Sequence, residues 1–185
     1  MTYYVATSLD GRIADPEGGF DAFPMEGDHM QVLMHEYTDT IPTHLLQRFG
    51  LTATRSRFDT VLMGWETYTP ALKEGIDSPY QHLRQVIASR QEREVPDGLE
   101  VTADPVRRLR ELKAEPGQGI WVAGGGRLAG SVLDEIDRLV LKINDRARRG
   151  HPAVRRHRVL APHVHPGRLA RLRVGHRDRR VRASR

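Results

Sequence analysis

The sequence contains no cysteine. This absence excludes a disulfide framework, a thiolate nucleophile and any zinc or iron-sulfur site with cysteine ligands. No window approaches the roughly 18 consecutive apolar residues of a membrane helix, and residues 1–6 do not resemble a basic and apolar leader. We therefore expect a soluble, cytoplasmic protein with no membrane partner, and the length of 185 residues suits one domain.

Acidic residues are almost absent from one end of the chain. The net charge of +5 hides this asymmetry, because 14 of the residues from Arg146 to Arg185 are arginine and only Asp178 is acidic. The rest of the chain is net acidic, so an argument for nucleic-acid binding would depend on this end alone. The same end has no aromatic residues on which bases could stack, which argues against nucleic acid as a partner.

Strand-like and helix-like segments alternate along the first 144 residues. The predicted strands cover residues 3–7, 60–64, 86–89, 120–123 and 138–143. The predicted helices cover residues 30–37 and 65–73, a segment that starts at Pro105 after the N-cap Asp104, and residues 128–136. This alternation predicts an α/β domain with a mostly parallel sheet. After Asn144 the pattern stops.

The strongest local motif is IWVAGGGRLAGSVL, residues 120–133, which combines a strand, three glycines and a helix. Glycines let backbone N–H groups approach a phosphate closely, and a helix N-terminus attracts negative charge. A glycine turn without a ligand is the simplest alternative. Gly124, Gly126 and Ala129 also fit the Rossmann fingerprint with Asp145 as the ribose acid, but that motif belongs at a first strand with further strands after it.

Two further segments are ATSLDGRIA, residues 6–14, and DTVLMGWETY, residues 59–68. In this order, the three segments resemble the dihydrofolate-reductase superfamily, especially its bacterial branch similar to the reductase domain of riboflavin biosynthesis. The resemblance covers residues 1–144. It implies a three-layer α/β fold and NADPH as cofactor. It also implies hydride transfer to a small heterocycle, either pterin-like or pyrimidine-like as in 5-amino-6-(5-phosphoribosylamino)uracil reductases.

The resemblance also implies positions for the cofactor. Ala6 and Ile13 would flank the nicotinamide. The residues that would meet the cofactor phosphates at a helix N-terminus are Gly64, Trp65, Glu66 and Thr67. Ser89 and Arg90 match positions that hold the 2'-phosphate, where a hydroxyl and a guanidinium suit a dianion. The residues that would bind the pyrophosphate are Gly124, Gly125, Gly126, Arg127 and Leu128. The family often has arginine where this chain has Trp65, so one phosphate contact is missing and the preference for NADPH over NADH is weakened.

The candidate catalytic acids are Asp21, Glu26 and Asp28. A carboxyl group can position a substrate ring and assist its protonation during hydride transfer. Folate reductases carry this acid at the start of the first helix after a proline. Glu26 and Asp28 follow Pro24 but do not align without a shift, and Asp21 matches an acid common in the bacterial branch. All three could instead be solvated loop charges, and the departure argues against dihydrofolate as the preferred substrate.

Other functional classes have weaker support. The alternative to an enzyme is a non-catalytic nucleotide- or polyanion-binding protein in which the arginine-rich end forms a basic arm, with an affinity that falls steeply with salt. No metal is predicted, since the histidines near the end lack the fixed spacing of zinc ligands. The oligomeric state stays open, although homodimers are frequent in the riboflavin-type branch.

The arginine-rich tail, residues 145–185, is predicted to be a frameshifted reading of the family's ending and outside the native fold. Family members continue with a proline, a glycine-rich turn and Pro-Leu-Phe, followed by two strands that end the sheet. Back-translating residues 151–175 with permitted codons and moving the frame by one base can give TPLFGATAFSPHTFTLADSRVFESG, which looks like that ending. The C-terminal strands would then be missing. A true basic extension is the alternative.

Overall fold

The computed structural model describes residues 1–19, 23, 28–144, 151–152, 169–174 and 181–183, with the backbone alone at 28–29 and from 151 onward. The strands are β1 (Thr2–Ser8), β2 (Arg12–Ala14), β3 (Thr60–Gly64), β4 (Arg84–Ala88), β5 (Leu99–Thr102), β6 (Ile120–Val122), β7 (Arg138–Asn144), β8 (His151–Pro152), β9 (Leu169–Val174) and β10 (Val181–Ala183). The helices are α1 (Asp28–Glu36), α2 (Thr43–Arg48), α3 (Trp65–Lys73), α4 (Pro105–Ala114) and α5 (Gly126–Ser131). Among the described residues, no helix is long and apolar enough to span a membrane.

The chain divides into two compact units. The first unit contains Met1–Gln31 and Gly124–Arg185, and the second contains Val32–Ala123. The second unit therefore holds β3 to β6 with α2 to α4, and the first holds the remaining strands with α5.

The second unit is built on four parallel strands in the order β6-β3-β4-β5. Val61, Leu62, Val86 and Ile87 on its two middle strands are completely buried. Strands of a parallel sheet are covered on both faces, which explains why TVLMG and QVIA are continuous apolar runs without a polar alternation. The helix α4 buries its apolar face, since Leu109 and Leu112 are buried while Arg110 and Glu111 between them are exposed.

The first unit is built on β1 and β7, which run parallel in register from Thr2 with Arg138 to Ser8 with Asn144. The amino group of Met1 contacts the Asp137 carboxylate at 2.6 Å at one end of this pair. At the other end the buried Asn144 amide donates to the carbonyl of Thr7 at 3.1 Å. Both ends of the β1–β7 pair are therefore fixed by polar contacts between residues far apart in the sequence.

The structure confirms the predicted α/β class with parallel strands, and most predicted elements lie within a few residues of their expected positions. The predicted third strand is displaced by one or two residues, and the predicted helix 128–136 is divided into α5 and a 3-10 turn at Leu133–Glu135. The strands β2 and β5 and the helix α2 were not predicted, because each is short and has no clear periodicity.

The C-terminal region differs from the expected arrangement. The sequence analysis expects the last strands of the sheet to be missing, whereas the backbone of β9 lies antiparallel beside β7, with Leu172 as the register partner of Leu139. The strand β10 lies antiparallel to β9, and β8 pairs with β2. Backbone pairing does not report which reading frame encodes a segment, so the frameshift stays a prediction.

Candidate functional site

The second unit brings two of the predicted cofactor segments to the same edge of its sheet. Gly64 at the end of β3 is the register partner of Ala88 at the end of β4. Because the two strands are parallel, the residues that follow them, Trp65 and Ser89, leave the sheet side by side. Ligands of open parallel sheets bind outside the carboxyl ends of the strands, so this edge is the candidate site of the second unit.

The first turn of α3 has N–H groups that are not capped by a side chain. Gly64 is the N-cap residue with φ −77° and ψ 158°, and it offers no side chain to accept a hydrogen bond. A Cβ atom built on Gly64 would meet nothing within 4 Å. The Cβ position of Gly64 is therefore open in the second unit, and uncapped N–H groups beside it are a place where a phosphate can approach a helix N-terminus. Glu66 in the same turn is exposed.

Ser89 organises a tight polar turn after β4. Its backbone N–H donates to the carbonyl of Thr102 at 3.0 Å, its hydroxyl donates to the carbonyl of Gln91 at 2.8 Å, and the N–H of Gln91 lies 3.2 Å from the same hydroxyl. Arg90 projects from this turn as an exposed residue and makes no hydrogen bond or ion pair to any other described residue. The turn is held by its own contacts, and the guanidinium of Arg90 stays available.

Trp65 is covered by a guanidinium that the sequence analysis did not identify. The Cζ atom of Arg93 lies 4.4 Å from the centroid of the Trp65 ring, and Tyr68 meets the same ring edge-on at 5.7 Å. Tyr68 is itself completely buried, and its hydroxyl donates to the carbonyl of Asp77 at 2.6 Å. Burial and the nearby charge of Asp77 raise the pKa of Tyr68. Trp65 is thus a fixed platform between a buried tyrosine and an arginine.

The first unit places the predicted nicotinamide residues on consecutive strands. Ala6 lies in β1 and Ile13 in β2. Between them Gly11 adopts φ +75° and its N–H donates to the carbonyl of Ser8 at 3.0 Å, while the N–H of Arg12 donates to the hydroxyl of Ser8 at 2.9 Å. The sequence SLDGR therefore forms the turn that Asp10-Gly11 predicts.

The register partner of Ala6 is Lys142 on β7. Lys142 is buried, and burial lowers the pKa of its ammonium group. The pattern RLVLKI predicts a strand, and the prediction does not single out this residue. A lysine inside an otherwise apolar strand was the signal that could have identified it.

The glycine turn of the first unit has the backbone that its sequence predicts. Gly124 and Gly125 adopt φ values of +128° and +82°, which L side chains rarely adopt, and α5 begins at Gly126. Gly126 and Leu128 are buried and Arg127 is exposed. The predicted turn between strand and helix is therefore present, and only glycine accommodates it without strain.

The structure does not describe the side chains of the three candidate catalytic acids. Asp21 and Glu26 lie outside the described residues, and Asp28 is described only as the first backbone position of α1. Their role stays a prediction. The described residues contain no group of three or more histidine, aspartate or glutamate side chains that could hold a metal ion.

Comparisons with known proteins agree with this architecture. The family model described as the RibD C-terminal domain matches residues 1–144. A crystal structure of a protein from Shewanella sp. PV-4, assigned to riboflavin biosynthesis, has 25% sequence identity and a TM-score of 0.58, and the match covers 85% of this chain and 84% of that chain. No curated protein matches. Because the family model covers more than three quarters of the chain, this protein belongs to the RibD C-terminal domain family, which has a dihydrofolate-reductase-like fold and consists of reductases of the riboflavin-pathway type.

Proposed function

We propose that this protein is an NADPH-dependent reductase that transfers hydride to a small heterocyclic substrate, pterin-like or pyrimidine-like. The family supports an oxidoreductase, and one structural observation supports the cofactor. In the second unit, the uncapped first turn of α3 opens onto free space at Gly64, directly beside the turn that carries Ser89 and Arg90. A helix N-terminus next to a hydroxyl and a guanidinium is suited to a ligand with several phosphate groups.

In this proposal the backbone N–H groups of Trp65, Glu66 and Thr67 hold a cofactor phosphate, and Gly64 keeps the approach open. Arg90 binds the 2'-phosphate, because a guanidinium can donate two parallel hydrogen bonds to a dianion. The Ser89 hydroxyl would exchange its hydrogen bond to the Gln91 carbonyl for one to the phosphate. Gly124, Gly125 and Gly126, with Arg127 and Leu128, bind the pyrophosphate through backbone N–H groups of the turn that the positive φ values of Gly124 and Gly125 shape.

The reaction half of the proposal concerns the first unit. NADPH supplies the hydride, and the protein has to position the ring and keep water away from it. Ala6 and Ile13 offer small and apolar surfaces for the nicotinamide. Asp21, Glu26 or Asp28 would orient the substrate and assist delivery of the proton that accompanies the hydride. The alternative of a non-catalytic polyanion-binding protein has no support from a family of reductases.

The experiment that tests this proposal replaces Gly64 by alanine. The added methyl group meets no atom of the protein within 4 Å and φ is −77°, so the fold should tolerate it. A bound phosphate would meet it, and an overpacked contact of this kind costs about 1 to 3 kcal/mol, which corresponds to a roughly 5- to 150-fold increase in Kd. Titration with NADPH, followed by tryptophan fluorescence in a Trp121→Phe background, leaves Trp65 as the reporter.

Gly130→Ala is the matched control. Its Cβ atom also meets nothing within 4 Å, and it lies inside α5 rather than at the proposed site. We expect this control to keep the parent's Kd for NADPH. If Gly64→Ala binds NADPH as tightly as the parent, or if the folded parent does not bind NADPH, the proposed function is wrong.

A further inference from the structure

Arg93 lies 28 positions after Trp65 in the sequence, and its guanidinium contacts the first turn of α3. Trp65 occupies the position where the family often has arginine, yet the guanidinium of Arg93 lies over the Trp65 ring at 4.4 Å from its centroid. The two residues belong to the same unit. The guanidinium of Arg93 lies at the first turn of α3, although the sequence of that turn contains no arginine or lysine. Trp65 therefore stands at the arginine position of the motif, and its ring contacts a different arginine, Arg93.

Arg93 is held in place from two sides. Its Nη2 group donates to the side-chain oxygen of Gln91, and Gln91 is fixed to Ser89 by the two hydrogen bonds of the turn. A continuous polar chain thus joins Ser89, Gln91 and Arg93, and it ends on the Trp65 ring. Stacking of the guanidinium on the tryptophan ring stabilises this orientation. In such a stack the N–H groups at the edge of the guanidinium point away from the ring.

Most of the hydrogen-bonding capacity of Arg93 is unused within the described residues. A guanidinium has five N–H donors, and the contact with Gln91 uses one. The Nε atom is buried without a hydrogen-bond partner, and none of the ion pairs among the described residues involves Arg93. Glu66, Glu92 and Glu94 are exposed in the same segments and likewise form no described ion pair with it. An arginine held rigidly with free donors is typical of a group prepared to bind an anion.

We infer that Arg93, stacked on Trp65, is a determinant of specificity for the 2'-phosphate of the cofactor. This inference rests on the proposed function and extends it to a residue outside the family motif. Arg90 and Arg93 both follow Ser89 in the segment after β4, so we expect a dianion bound beside this turn to meet two guanidinium groups. Trp65 is a positioning residue: it orients Arg93 and does not itself bind the phosphate. The missing motif arginine weakens the preference for NADPH over NADH. The contact between Arg93 and Trp65 restores this preference.

The test compares two probes that differ only in the 2'-phosphate, adenosine 2',5'-bisphosphate and adenosine 5'-monophosphate, together with NADPH and NADH. Arg93→Gln should weaken binding of the bisphosphate and of NADPH by about 10- to 100-fold, the size expected when a hydrogen bond to a charged group is lost. Binding of the monophosphate and NADH should stay within about twofold of the parent. A purely structural role for Arg93 would lower both affinities in each pair equally.

Two further variants complete the test. Trp65→Leu should also reduce the ratio of NADPH to NADH affinity, and combining it with Arg93→Gln should add little, because the two residues act as one unit. Arg48→Gln is the control, since it removes the same charge from an exposed residue at the end of α2, and it should leave the ratio unchanged.

The possible failures are distinguishable. If the parent binds NADPH but Arg93→Gln keeps the parent's ratio, the inference about Arg93 is wrong and the proposed function stands. If the folded parent binds neither NADPH nor the bisphosphate, both are wrong.

Discussion

At the scale of single residues, Asp39 shows how one buried carboxyl side chain can hold a loop through hydrogen bonds from backbone N–H groups. Its side chain is completely buried. The carboxylate accepts hydrogen bonds from the backbone N–H groups of Arg55 at 2.5 Å, Arg57 at 3.0 Å and Phe58 at 3.2 Å. Arg55 has a φ of +50°, unusual for a residue with a side chain. The loop that enters β3 is therefore built around one carboxylate.

Replacing Asp39 by alanine should lower the free energy of unfolding by about 1 to 3 kcal/mol, because one buried and two partly buried backbone N–H groups lose their acceptor. Urea denaturation monitored by circular dichroism would measure the change. Asp97→Ala is the control, since Asp97 is exposed and makes no hydrogen bond among the described residues. An Asp39→Ala protein as stable as the control would contradict this account of the loop.

At the scale of the element, α3 and α4 begin in opposite ways. The helix α4 is closed by its own sequence, since the Asp104 carboxylate accepts from the N–H of Arg107 at 3.0 Å and Pro105 needs no acceptor. The helix α3 begins after a glycine that provides no cap. A helix whose first N–H groups are left open beside a strand edge is suited to a ligand, and a capped helix is suited to stability alone.

We expect Asp104→Ala to destabilise the protein by about 0.5 to 2 kcal/mol, the usual cost of losing an N-cap. Asp104→Ser should recover most of that loss, because a hydroxyl can also accept from the first turn. Thermal unfolding of the three proteins would measure the differences, and NADPH affinity should not change in any of them. Equal stability of the alanine and serine variants would show that the cap contributes nothing.

Strand and helix prediction succeeded where the signal was local. Three features follow from the preferences of a few neighbouring residues, and the structure contains all of them: the cap of α4, the glycine turn and the apolar strand TVLMG. The strand β5 was missed because its pattern LEVT is short and three of its four residues are only partly buried. Its position is decided by pairing with β4, from Gln85 with Leu99 to Ala88 with Thr102.

At the scale of the whole molecule, the predicted frameshift would lower the stability of the protein. If residues from about Asp145 are a frameshifted ending, the apolar surface that the family's own last strands would cover is covered poorly. Each large apolar side chain left exposed forfeits roughly 1.5 to 3 kcal/mol, against a total stability of about 5 to 15 kcal/mol. An unpaired or weakly paired sheet edge also promotes aggregation.

We predict that resequencing the gene will show a single-base shift, and that amides of Leu169–Val174 exchange with solvent much faster than those of Val140 and Leu141 on β7. Restoring the frame should raise the yield of soluble protein and the Tm. An intact frame that encodes these residues would refute the frameshift, and exchange in β9 as slow as in β7 would contradict the expected loss of packing in the tail.

The sequence by itself determined the short-range features of this protein: the turn at Asp10-Gly11, the start of α3 at Gly64, the cap of α4 and the glycine turn at Gly124–Gly126. Each follows from backbone preferences and spacings within a few residues. The sequence motifs also identified the family, because three of them occur in a fixed order.

Only the tertiary structure decided which distant residues meet. The register of β3 with β4 places Ser89 beside the start of α3, and the turn after β4 carries Arg93 onto Trp65. Asp39 meets the 55–58 loop, and Asn144 meets Thr7, in the same way. A single sequence records no register, and contacts between remote positions depend on the combined packing of the strands, so these parts of the site could not be derived from residue spacing.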